Sequence, residues 1–167
     1  MKNNILVTGG AGYIGSHVCK ALFQGGFTPV VYDNLCTGNK EAIKWGPFEE
    51  GDILDAEQLD KVIRKYNPIA IMHFAALIQV AESVSAPDKY YYNNVYGSFL
   101  LLEQARKNGI KYMVFSSTAA VYGIPQSDLI AEDHPLSLGA GGLASPKSVH
   151  HFLHAADVIF GIGCSFT

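Results

Sequence analysis

The sequence predicts an α/β protein built on a doubly wound parallel sheet, and three observations carry that expectation. Short continuous apolar runs alternate with stretches of helical periodicity over the first 118 residues, and the connections between them are short. The first apolar run leads directly into a glycine-rich turn, TGGAGYIG, at residues 8–15. Continuous apolar runs mark strands covered on both faces. Strands alternating with helices pair in parallel through right-handed crossovers.

The elements follow in order. Ile5-Leu6-Val7 is the first strand, and residues 13–24 form a helix with Ile14, Val18, Ala21 and Leu22 on one face. Pro29–Tyr32 is the second strand, Asn39–Lys44 a short helix, and Phe48–Asp52 a weaker third strand. Ala56–Tyr66 is helical, with Leu59, Val62, Ile63 and Tyr66 aligned, and Asn67-Pro68 stops it. Ile69–Phe74 is the fourth strand. A long helix from Pro87 to Lys107 is expected to bury Tyr91, Val95, Phe99 and Leu102 and to end at Asn108-Gly109. Tyr112–Phe115 is the fifth strand and a candidate open edge.

Composition narrows the class. The chain has 167 residues, 49% apolar and 16% charged, which suits one globular domain with a sizeable core. A net charge of -3 without a Lys/Arg cluster offers no footprint for nucleic acid. Cys19, Cys36 and Cys164 are odd in number and lack CxxC spacing, so neither a disulfide framework nor a zinc site is expected. The short apolar run before the glycines does not make a signal peptide, and no run is long enough to span a bilayer. The expectation is a soluble, cytoplasmic protein. The tail differs in character: of all the charged residues, only Lys147 and Asp157 fall within 136–167.

The glycine turn has the spacing Gly10-x-Gly12-x-x-Gly15, with Gly9 at the strand end. Glycine allows the tight turn, lets the backbone approach a pyrophosphate, and lets the helix pack closely on the sheet. The anion then meets unpaired N–H groups at the positive end of the helix dipole. Asp33 ends the second strand where a carboxylate accepts hydrogen bonds from an adenosine ribose. A carboxylate there repels a 2′-phosphate, which favours NAD over NADP. Asp52 and the following N–H of Ile53 are placed to hold the adenine, although a turn aspartate accounts for that residue equally well. His73 reads as a packed core histidine, followed by the small residues Ala75 and Ala76.

VTGGAGYIGSH, YDNL, GDI, HFAAL, ESV, YYNNV and FSSTAAVYG occur in this order. Together they closely resemble the extended short-chain dehydrogenase/reductase family, in its UDP-glucose 4-epimerase branch, over about residues 3–136. The resemblance implies a Rossmann-like fold and NAD as cofactor. It implies that Gly9, Gly12 and Gly15 cradle the pyrophosphate, flanked by Tyr13 and Ile14, and that Asp33 and Asn34 hold the ribose. Asp52 and Ile53 would take the adenine, and Phe74, Ala75, Ala76, Asn94 and Ser116 would line the way to the nicotinamide. Thr118 corresponds to the family's catalytic Ser/Thr, which orients the reacting sugar hydroxyl. Two positions depart from the pattern. Ile78 stands where many relatives carry a lysine near the cofactor phosphates, and Tyr92 replaces a common aspartate.

The reaction implied interconverts UDP-galactose and UDP-glucose through a transient 4-keto sugar, and an intact homologue is expected to be a homodimer. A tyrosine takes the proton of the 4-hydroxyl, its pKa lowered from about 10 by a lysine one helical turn on. Counting on from Thr118 by the family's usual interval lands in GGLASPK, where the Tyr-x-x-x-Lys pair reads Leu143-x-x-x-Lys147. Leucine cannot accept a proton. The expected organisation is therefore an incomplete NAD-binding domain over 1–136 and a divergent, poorly ordered tail over 137–167, inactive by itself. Related dehydratases need an Asp-Glu pair after the strand-five Thr, where this chain has Ala119-Ala120. A non-catalytic nucleotide-binding module remains the other class. His150 and His154 share a helical face, but no Glu or Cys joins them or His151, so adventitious histidines rather than a weak zinc site are expected.

Overall fold

Alternation within each strand decides which helices the sheet holds. In the computed structural model, which describes residues 3–116, β1 (Asn4–Thr8) is buried at every position and β2 (Thr28–Asp33) at all but the first. Leu6, Val30, Tyr32 and Ile71 face one side, where they pack with Leu59, Val62, Ile63, Leu101 and Ala105. Ile5, Val7 and Val31 face the other side with Cys19, and Leu22, Phe27, Trp45 and Phe48 pack against them. Period-two side-chain direction thus feeds two apolar layers from one set of strands.

The sheet is completed by β3 (Phe48–Glu50), β4 (Ala70–His73) and β5 (Tyr112–Phe115), in the order β3-β2-β1-β4-β5. β1 pairs in parallel with β2 and β4, and β2 with β3. The doubly wound parallel sheet expected from the sequence is present. The order reverses direction between β1 and β4, and in such sheets ligands bind at the carboxyl ends beside that reversal. The register puts Thr8 opposite both Tyr32 and His73, so the chain leaves all three central strands at one level.

The helices are α1 (Tyr13–Gln24), α2 (Ala56–Tyr66), α3 (Val80–Ser85), α4 (Pro87–Tyr90) and α5 (Gly97–Lys107), with a 3₁₀ turn at Lys40–Ala42. α2 matches its expected bounds and face. The Asp55 side chain accepts from the Gln58 N–H at its start, and Asn67 adopts a left-handed φ of 43° at its end. α1 turns inward a face shifted from the one expected: Gly15 and Cys19 are buried and Leu22 packs on the core as expected, while Ile14 is exposed. The reason lies at Gly15, where a Cβ would stand 2.2 Å from the Gly9 carbonyl oxygen, so only a glycine face fits against the loop. α3 leaves no signal in the sequence, because six residues are too few to show a period.

The long helix departs most from expectation. It is broken by a π-helical segment at Tyr91–Tyr96 between α4 and α5. Tyr91, Val95, Phe99 and Leu102 are all more than half exposed, and Tyr90, Gly97, Leu101, Gln104 and Ala105 are buried instead. The helix carries two apolar stripes, and periodicity cannot say which one meets the sheet. Packing decides it: a Cβ on Gly97 would stand 2.7 Å from the Ile53 side chain, so the glycine side seats on the core.

The chain divides into two compact units, residues 1–114 and 115–167. Thr118, Leu143, Lys147 and the expected tail at 137–167 lie outside the described residues.

Candidate nucleotide-binding site

The site begins with Gly9, directly after β1. Its φ is +72°, and a Cβ there would lie 2.6 Å from the backbone of Phe74 and Ala75. Glycine is therefore required twice over, by conformation and by the approach of the segment after β4. Gly12 is the N-cap of α1, and no side chain caps that helix start. A Cβ on Gly12 would meet only the Gly9 carbonyl oxygen at 3.2 Å, so this side of the loop is open. α1 also has no acidic residue in its first turn. The first N–H groups of a helix have no intrahelical partner, and together with the dipole they favour an anion. Tyr13 and Ile14, both exposed, stand at the mouth of this opening.

Asp33 is 8% exposed at the end of β2. Its Oδ2 accepts from the Ala11 N–H at 2.9 Å and its Oδ1 from the Leu35 N–H at 2.8 Å. The carboxylate thereby ties the glycine loop to the end of β2, and each oxygen retains acceptor capacity. Leu35 is held in a left-handed conformation with φ 58°, which bulky residues seldom adopt without such support. The sequence reading missed Ala11 and Leu35, because both act through their backbone; the one visible signal was the Asp-x-Leu spacing of a side-chain-capped turn.

Asn34 and Asp52 meet directly: the Asn34 amide donates to Asp52 Oδ2 at 2.7 Å. Asp52 Oδ1 accepts from the Leu54 N–H, and the Asp52 carbonyl accepts from the Tyr32 hydroxyl at 2.8 Å. The Ile53 side chain is buried in the core, leaving its backbone as the part available to a ligand. The glycine before Asp52 is dictated by Tyr32, whose hydroxyl would lie 2.5 Å from a Cβ at Gly51. Burial and the nearby charges of Asp55 and Asp52 raise the Tyr32 pKa above its ordinary value, so the phenol stays protonated.

Phe74 and Ala75 follow β4 against Gly9. Beyond them a cleft of about 250 Å³ opens between Cys36-Thr37 and Ala76–Gln79, with Glu82 and Lys89 at its side. Exposed Ile78 lines it. The Lys89 ammonium donates to Glu82 Oε1 at 2.6 Å, and the Tyr90 hydroxyl to Glu82 Oε2. Asn94, expected near a nicotinamide, grips the peptide of Leu77: its amide donates to the Leu77 carbonyl at 2.9 Å and its Oδ1 accepts from the Leu77 N–H at 2.8 Å. Ser116 follows β5 and is half-buried. No group of residues able to hold a metal ion occurs among the described residues.

An open glycine loop at a helix start, a carboxylate at the end of the neighbouring strand and a cleft between the segments that follow β2 and β4 define a nucleotide-binding α/β domain. Residues 5–140 match the NAD dependent epimerase/dehydratase family, and the chain belongs to it. The chain is 55% identical over 130 residues to a UDP-glucose 4-epimerase of Rhizobium leguminosarum bv. trifolii, covering 78% of this chain and 40% of that protein. It is similar to the crystal structure of a Brucella ovis UDP-glucose 4-epimerase in complex with NAD, with a TM-score of 0.74 at 42% identity, covering 95% of this chain and 50% of the other. The structure of a Thermotoga maritima UDP-glucose 4-epimerase with UDP-glucose matches with a TM-score of 0.70 at 36% identity, covering 90% and 50%. The chain thus spans about half or less of the length of these relatives.

Proposed function

We propose that this chain is the NAD-holding part of a UDP-glucose 4-epimerase and that by itself it binds NAD without turning over UDP-galactose. The observation that carries the reading is Asp33, a buried carboxylate already fixed beside an open phosphate loop. Gly9, Gly12 and Gly15 would form the cradle, with the backbone of Tyr13 and Ile14 closing on the pyrophosphate. Asp33 would take the ribose hydroxyls with Asn34 beside it, and Asp52 with the Ile53 backbone would meet the adenine. Phe74, Ala75 and Ala76 would wall the nicotinamide side, with Asn94 acting through Leu77. When bound, NAD supplies the acceptor for the hydride from C4 of the sugar.

Thr118 orients the reacting hydroxyl in this reading. It is too weak a base to remove the proton, and Leu143 stands where the tyrosine is expected. Homodimerisation, expected for an intact homologue, has a surface to use: Tyr92, Tyr96 and Phe99 stack along an exposed helix face.

The test is calorimetric titration with NAD and NADP, alongside an assay of UDP-galactose turnover coupled to UDP-glucose oxidation. Binding of NAD in preference to NADP with no turnover is expected. Tighter binding of NADP overturns the role given to Asp33. Turnover that survives repurification and disappears in Thr118→Val overturns the assignment of inactivity.

A further inference from the structure

His73 ends a central strand and is 2% exposed. A buried imidazole is destabilising unless its nitrogens are bonded. Nδ1 lies 2.6 Å from Thr8 Oγ1, and Nε2 lies 2.8 Å from Ser98 Oγ. Ser98 Oγ is also 2.6 Å from the Asn94 carbonyl, which can only accept. The single hydroxyl proton of Ser98 goes to that carbonyl, so Nε2–H donates to Ser98 and Nδ1 accepts from Thr8. Burial pushes the imidazole pKa down to about 4, in keeping with this neutral tautomer. The chain of bonds continues through Asn94 itself, whose side chain holds both ends of the Leu77 peptide. Leu77 belongs to the Ala76–Gln79 wall of the cleft.

We propose that His73 is a positioning residue for the cofactor cleft: through Ser98 and Asn94 it fixes where the wall at Leu77 stands. Resting on the nucleotide-binding reading above, the inference gives that site a support running from β1 through β4 to the π-helical segment. A histidine that merely fills the core would leave the Leu77 peptide indifferent to which nitrogen position is kept.

The experiment compares His73→Gln, His73→Asn and Ser98→Ala in the full chain. A glutamine amide reaches the position of Nε2 and keeps a donor for Ser98, whereas an asparagine amide reaches only toward Thr8. Hydrogen exchange at the Leu77 amide is measured together with the Kd for NAD. His73→Gln is expected to stay within about twofold of the parent Kd, and His73→Asn and Ser98→Ala to weaken it about five- to thirtyfold, as loss of a buried hydrogen bond does. Faster exchange at Leu77 accompanies the weaker binding, while the β1–β2 amides stay protected. Unchanged Leu77 protection in both His73→Asn and Ser98→Ala overturns the proposal, as does a glutamine variant as impaired as the asparagine one. Should His73→Asn fail to fold, Ser98→Ala against His73→Gln decides alone. If the parent chain does not bind NAD, the nucleotide reading fails, and Leu77 exchange still decides the relay.

Discussion

At the scale of single residues, Asp33 and Gly15 make opposite kinds of demand. Asp33→Asn keeps the shape but turns one oxygen into a donor that faces the Ala11 or the Leu35 N–H. A hydrogen bond to a charged group contributes about 1.5–3 kcal/mol, so NAD affinity should fall about 10- to 100-fold, with a smaller preference over NADP. Titration calorimetry reads both. Gly15→Ala fails for a steric reason, since its Cβ would enter the Gly9 carbonyl at 2.2 Å and both contact partners are backbone. Loss of NAD binding together with a lower urea midpoint is the expected result. His73 adds a pH signature. Its folded pKa of about 4 lies below the ordinary 6.5, so the unfolded chain takes up the proton first as pH falls. Its contribution is complete above pH 6.5 and is lost progressively toward pH 4, by up to about 3 kcal/mol. Urea midpoints at pH 7.5, 6 and 5 should decline in the parent chain and much less in His73→Gln.

At the scale of elements, the two stripes of α5 separate packing from periodicity. Leu101→Ala, from a fully buried position, should lose about 2–5 kcal/mol of stability. Phe99→Ser, on the exposed stripe, should stay within about 0.5 kcal/mol. Equal losses in urea melts would mean that the outward stripe is covered in solution. The contrast also shows what the sequence could and could not reveal. Strands such as Ile5-Leu6-Val7, and α2 with its Asp55 cap, were legible because local pattern and final burial agree. The glycine loop's place was legible because the strand, turn and helix that need it are consecutive in sequence, whereas the bond that ties Asp33 to Ala11 spans 22 positions. The inward face of α5 depends on Ile53, more than forty positions away, and the bonds from His73 to Ser98 and from Asn34 to Asp52 join separate elements. No local pattern carries such partners. β3 shows the same at a smaller scale: the Lys65 ammonium and the Tyr66 hydroxyl each donate to Glu49 at 2.6 Å, clasping a three-residue strand to α2. Those bonds hold the Glu49 carboxyl below its usual range. Its stabilisation is present above the unfolded carboxylate pKa and is lost as pH falls through the lowered folded value.

For the whole molecule, a ligand that binds only the folded state raises its stability by mass action. NAD at about a hundred times its Kd should add about 2.7 kcal/mol. A thermal melt with NAD, with NADP and with neither reads this directly, and only NAD should move the midpoint appreciably.

Asp33 finally bears on the speed of recognition. Its carboxylate is bonded to Ala11 and Leu35 within the chain itself, so the loop's tether to β2 needs no ligand atom to form. A competent state that is already the major one imposes no waiting step before encounter. Stopped-flow mixing with NAD should then give a single phase whose observed rate climbs linearly with concentration. In Asp33→Ala, with the tether to the loop cut, the rate should level off at a ceiling set by how often the loop re-forms.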